Sequence, residues 1–268
     1  TRSLFHGLTR GRLLPAPQHG VAGQYYRQFG RMSLAFAVTT ELALASLGGS
    51  LKRRESLSGR LGDVLSLLYL GSAVLKQYFD QGSPEEDLPL LQHACDEMLF
   101  NIQSRLYQIM DNLPNRAVAG LARLLTFPAG KPYRPPLDKL SHRVTGLILR
   151  PGRVRDRLTQ GVYIPDDSTQ PLAQLEDALE KSVAAEPALK SLREAMRSGT
   201  LPHGDPELHV DAGVEAGVIT GQQAAGIRAA IAARQLVIQV DDFDPQYLGK
   251  ERDTWGDSKP AGVAGQSM

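Results

Sequence analysis

The sequence predicts an all-α chain: an antiparallel bundle of long helices, followed by a smaller helical subdomain and a disordered tail. Three features carry that expectation. Apolar residues recur at steps of three, four or seven through three long stretches of the first half of the chain, the spacing that gathers them on one face of a helix. Glycine and proline fall between those stretches, where helices end. No segment alternates apolar and polar residues as a half-buried strand does, and no internal repeat is present.

Residues 1–20 carry Arg2, Arg10, Arg12, Pro15 and Pro17 with weak periodicity and are expected to form an irregular lead-in. From Val21 to Leu47, Tyr25, Phe29, Met32, Phe36, Ala43 and Leu47 mark a first helix, and Gly48-Gly49 suits its end, where positive φ is often needed. The stretch around which the rest is organised follows. In it Leu57, Leu61, Val64, Leu65, Leu68, Leu75 and Phe79 form one stripe. Such a helix owes its stability mainly to packing that stripe, so it needs helical neighbours on both sides. It stops near Asp80–Pro84, and Glu85, Glu86 and Asp87 complement the positive end of a third helix. Leu91, Cys95, Met98, Ile102, Leu106, Ile109 and Leu113 run down its face. Three helices of about 25 residues each span roughly 38 Å, and short links favour antiparallel neighbours; residues 21–160 are assigned to this bundle.

Pro114 ends the third helix, and a shorter one over Arg116–Phe127 halts at Pro128-Ala129-Gly130. Three prolines in Lys131–Pro136 require extended or turning chain, and Asp138–Leu149 is helical again. Residues 161–171 form a linker and residues 172–240 the smaller subdomain. Its expected helices are Leu172–Ala185, Ala188–Met196, Val210–Ala216 and Thr220–Val240, the last opening on Thr220 and Gln223 as a capping box. Residues 241–268 are expected to be a flexible tail.

Thirty basic residues against twenty-nine acidic leave a net charge of +1. That gives no footprint for nucleic-acid binding, and aromatics are not interleaved with the basic residues as a single-strand platform requires. The single cysteine, Cys95, excludes an internal disulfide or Cys-rich zinc site, fits a reducing compartment, and sits in an apolar stripe as a core residue. No dinucleotide fingerprint, P-loop or nucleophile elbow is present. The six histidines are scattered without an i, i+4 pair, so no metal site is assigned. Glu55, Asp63 and Glu97 stand at solvated or ion-paired helix positions, and no residue is assigned as catalytic. No uninterrupted apolar run approaches the roughly 18 residues of a membrane span, and the N-terminus is no signal peptide, so a soluble or peripheral protein is expected. The chain begins at Thr1 without an initiator Met, the expectation being a piece of something longer.

Basic residues carry the clearest asymmetry. Residues 131–157 hold eight Lys or Arg against two Asp. Lys52, Arg53 and Arg54 at the head of the organising helix, with Arg143, Arg150, Arg153, Arg155 and Arg157, are the candidate interdomain or anion contacts. They could hold a phosphate such as that of coenzyme A, meet anionic headgroups, or pair with acidic residues of a neighbouring domain. A merely solvated surface is the alternative.

Eight strings in order then resemble one family. Arg2-Ser3 with Gly7-Leu8-Thr9-Arg10-Gly11, LGGSLKRRE at 47–55, GRLGDVLS at 59–66, SAVLK at 72–76, DLPL at 87–90, PNRAVAGL at 114–121, DKL at 138–140 and VDDFDP at 240–245 resemble the C-terminal region of bacterial FadE-type, long-chain acyl-CoA dehydrogenases. The resemblance implies a parent enzyme that converts fatty acyl-CoA to trans-2-enoyl-CoA in fatty-acid β-oxidation. A glutamate removes the α-proton and FAD accepts the β-hydride, both lying upstream of the region matched here. It implies a domain similar in placement to the added C-terminal domain of very-long-chain acyl-CoA dehydrogenases, which contributes to subunit association and membrane contact. Expected partners are therefore the upstream dehydrogenase domains, fatty acyl-CoA through the parent enzyme, a homodimer mate and a membrane surface. The expected location is the cytoplasm, at the periphery of the inner membrane. The sequence lacks the Tyr-Glu-Gly run that bears the catalytic base in many relatives, so no residue here receives a catalytic or flavin-binding role, and the segment alone is expected to be inactive. This reading predicts an apolar face on the bundle left uncovered for the upstream domains. A self-contained interaction or peripheral-membrane module is the competing reading.

Overall fold

The computed structural model describes residues 2–9, 11–17 and 19–239, and the expected tail lies outside them. The described residues contain ten α-helices and no strand, as the sequence predicts, and divide into two units, residues 1–160 and residues 161–268.

In the first unit a short helix α1 (Arg2–Leu8) precedes three long ones, α2 (Gly20–Leu47), α3 (Glu55–Asp80) and α4 (Leu88–Asp111). Arg105 of α4 pairs with Asp63 of α3 at 3.1 Å, the contact of two antiparallel neighbours. The Tyr25 hydroxyl donates to Asp96 Oδ1 at 2.7 Å, joining the first halves of α2 and α4, which run parallel. Met32, Val64, Leu75, Cys95, Ile102, Leu106 and Ile109 are removed from water between the three. Gly48 ends α2 at a φ of 54°, its N–H donating to Leu44 O, and a 3-10 turn Gly48–Arg53 leads into α3.

The α3 stripe is narrower than its sequence suggests. Val64, Leu68, Gly71 and Leu75 face the core, whereas Leu65 is 58% exposed and Phe79 50%. Two neighbours contact only the seam of four-three-four spacing, so apolar residues one step off it stay outside. Within the seam, Gly71 lets Phe29 of α2 lie on the α3 backbone: a Cβ there would stand 2.2 Å from the Phe29 ring.

Helix α5 (Arg116–Thr126) is capped by Asn115, whose side chain accepts from Ala117 N and Val118 N. Then come α6 (Asp138–Ile148) and α7 (Arg153–Leu158). Two polar residues anchor the proline-rich chain before α6. Gln103 Nε2 donates to Tyr133 O at 3.0 Å while Tyr133 N donates to Gln103 Oε1 at 3.1 Å. Arg31, 3% exposed, donates to Tyr133 Oη and Thr126 O, with its guanidinium over the Phe127 and Tyr133 rings. The lead-in expected to be irregular contains α1, because Gly7 docks on Pro128 after α5, a stabilisation that local periodicity does not reveal.

The second unit pairs α8 (Pro171–Arg197) with α10 (Gly221–Ile238), with α9 (Val210–Glu215) across their turn. Its core is separate: Ala188, Leu189, Leu192, Met196, Val210, Ile219 and Ile227. The two helices expected on either side of Pro187 are one, because packing of Ala185, Ala188 and Leu192 outweighs the backbone bond that proline removes. The capping box at Thr220 and Gln223 forms.

Candidate functional site

The largest concavity among those described in the first unit is an open groove of about 700 Å³ between α2 and α3. Tyr26, Phe29, Phe36, Leu65, Leu68, Tyr69 and Leu75 supply its apolar lining, and Ser33, Thr40, Glu41 and Ser72 its polar points. On α2 the lining residues 26, 29, 30, 33, 36, 37 and 40 recur at helical spacing. Tyr69 at its edge is 74% exposed. Residues Gly20–Arg53 contain an 18-residue window of mean hydropathy 1.4, of which only 22% is buried. By length and composition that is enough for a membrane-crossing helix, although Arg31 and Glu41 interrupt its apolar run. Arg31 is nevertheless bonded into the bundle, so α2 is a core helix with one uncovered flank.

The candidate basic residues do not form one site. Lys52, Arg53 and Arg54 are exposed at the head of α3, where Arg53, Arg54, Glu55, Arg60 and Asn112 border a shallow hollow. That is the C-terminal end of α4. The chain from Tyr133 runs back along α4 to its N-terminal end, where α7 meets Asp87. The two basic groups are therefore separated by the 24-residue length of α4, about 36 Å. Arg143, Arg150 and Arg153 are exposed, and Arg155 is half-buried.

Arg157 is the exception. Its Nε and Nη2 grip the two Asp87 oxygens at 2.9 and 2.7 Å, and Nη2 also reaches Glu86 Oε1 at 2.7 Å. These bonds hold its pKa above the ordinary arginine value. Asp87, expected to serve the α4 dipole, instead forms a clasp with α7, so Arg157 is engaged within its own unit.

The nearest approach to catalytic geometry is His93 Nε2 at 3.1 Å from Ser141 Oγ, with Glu97 Oε2 3.9 Å from Nδ1. The second distance is too long for a hydrogen bond, and none of the three lines a described cavity. Among the described residues no group of three or more His, Cys, Asp or Glu could hold a metal ion. Gly48, at a φ of 54° with its N–H on Leu44 O, serves as the end of α2.

The family model for the acyl-CoA dehydrogenase C-terminal domain of bacterial type matches residues 1–243. The chain belongs to that family. No solved structure matches it. Membership implies a parent enzyme of the acyl-CoA dehydrogenase class with other domains. The surfaces this dehydrogenase C-terminal domain offers are thus the α2–α3 groove and two separate basic ends. The uncovered apolar face expected from the sequence is placed at this groove: it follows from α2 being apolar on more faces than the bundle covers, a signal present in the hydropathy of residues 20–53.

Proposed function

We propose that this chain is the C-terminal helical domain of a flavin-dependent enzyme that converts fatty acyl-CoA to trans-2-enoyl-CoA in fatty-acid β-oxidation. On this reading the catalytic Glu and the FAD site lie upstream in the parent polypeptide, and the domain docks on that catalytic region through the α2–α3 groove. Support comes from the family match over residues 1–243 together with the uncovered apolar flank, since a domain that works alone gains nothing by exposing it. The test mixes the purified chain with a separately expressed flavin-binding portion, following co-elution and acyl-CoA-dependent dye reduction. Co-elution with raised activity is the expected result. Absence of both, with each piece folded, overturns the docking.

A second reading, peripheral contact of the parent enzyme with the cytoplasmic face of the inner membrane, is favoured by the exposed Arg143, Arg150 and Arg153. Sedimentation with anionic vesicles that weakens with salt supports it; no retention on any composition removes it.

A further inference from the structure

The loop between α1 and α2 carries a feature that neither the docking groove nor the basic ends involve. Gly11 has a φ of +73°, and a Cβ there would stand 2.9 Å from Arg27 O and 3.2 Å from Arg31 Cβ. Only glycine lets this loop press so closely on α2. Three backbone bonds fix the turn: Gly11 N to His6 O at 2.8 Å, Arg12 N to Thr9 O at 3.0 Å and Leu14 N to Gly11 O at 2.9 Å. From the helix side Arg27 Nε donates to Leu14 O at 3.2 Å. The result is a cleft of about 560 Å³ lined by Arg12, Gln24, Arg27 and Gln28. Gln24 and Gln28 stand one turn apart on α2 with Arg27 beside them, and Arg12 comes from the loop.

Among the described residues no carboxylate lines the cleft and none forms an ion pair with Arg12 or Arg27. Arg31, the next turn along α2, does not line the cleft, its guanidinium being buried over Phe127 and Tyr133. Arg12 and Gln24 are exposed and Arg27 and Gln28 half-buried, so an anion can reach all four from solvent. The Arg12 guanidinium, the Nη groups left to Arg27 beyond its Nε–Leu14 bond, and two amide donors suit a tetrahedral oxyanion with several acceptor oxygens.

We infer that Arg12, Gln24, Arg27 and Gln28 form a binding site for a phosphoryl group. The site is independent of where the domain docks. The test titrates inorganic phosphate into the full chain by calorimetry, at constant ionic strength with chloride as reference. Saturable binding is expected. Arg12→Gln and Arg27→Gln each weaken it about tenfold or more, the loss of a charge-assisted bond, and the exposed Arg116→Gln leaves it unchanged. Since Arg27 also supports the loop, Arg12→Gln is the decisive variant. Gly11→Ala, which pushes the turn off α2 without altering charge, also weakens binding. Vesicles of phosphatidylcholine with and without phosphatidic acid identify the source of the phosphoryl group. Retention that Arg12→Gln abolishes assigns a lipid headgroup, and phosphate binding without retention assigns a soluble ligand. No saturable phosphate binding and no retention, or equal binding by Arg12→Gln, overturns the site.

Discussion

Replacing Gly71 by alanine tests the packing of α2 on α3 with an internal control on the same helix. In an exposed helix interior Gly→Ala stabilises by about 0.5–1 kcal/mol, because alanine loses less backbone entropy. Gly62→Ala should realise that gain, since a Cβ there meets nothing within 4 Å. At Gly71 the same methyl would stand 2.2, 2.3 and 2.9 Å from three atoms of the Phe29 ring. Ordinary carbon contacts lie at about 3.5–4.0 Å, so ring or helix must move by more than about 1 Å. Phe29 is 4% exposed and its ring is rigid, so the strain has no inexpensive outlet. Overpacking of this kind costs about 1–3 kcal/mol. Set against the helix gain, a net loss of about 1–2 kcal/mol is expected, and the two substitutions should differ by about 2 kcal/mol or more. Denaturant melts followed by circular dichroism measure this as shifts in midpoint at unchanged slope. Phe29→Leu should cost less in the Gly71→Ala background than alone, the coupling expected of neighbours. If Gly71→Ala stabilises as much as Gly62→Ala, the close approach is wrong.

Three further outcomes are expected. Arg53→Glu with Arg54→Glu should leave the melting temperature unchanged, because both side chains are exposed, and weaken capture of the flavin-binding portion; unchanged capture or a collapsed melt counts against their role. Burial pushes the Cys95 thiol up to about 12 from 9.0, so between those pH values the unfolded chain loses a proton that the fold retains, and stability falls as pH rises. Tyr25, pushed up by burial and its bond to Asp96, acts in the same direction. Cys95→Ala should therefore flatten the alkaline limb of a stability-pH curve, and a thiol reagent should modify Cys95 only on unfolding; rapid modification of the native chain refutes its burial. Arg157→Gln leaves the buried Asp87 without its bidentate partner and should lower the melting temperature with faster hydrogen exchange in α7. An unchanged melt shows that the clasp is dispensable.

The helices and their ends were legible because they depend on local chemistry. Apolar spacing located α2, α3 and α4, Gly48 ended α2, and Thr220 with Gln223 began α10. The candidate basic residues were legible only as a composition. Their division between the two ends of α4, and the engagement of Arg157 by Asp87, depend on residues some seventy positions apart meeting in space.

The sequence by itself determined the all-α class, the long helices and the family, because periodicity, caps and eight ordered strings are properties of neighbouring residues. Tertiary structure decided which apolar residues of those helices are covered. Leu65 and Leu68 have the same chemistry and belong to the same helix, yet one faces the groove's open side and the other the core. It also decided that α1 folds and that α8 runs through Pro187. In both cases a contact distant in sequence supplies free energy that local propensity lacks, and such contacts exist only once the helices have packed.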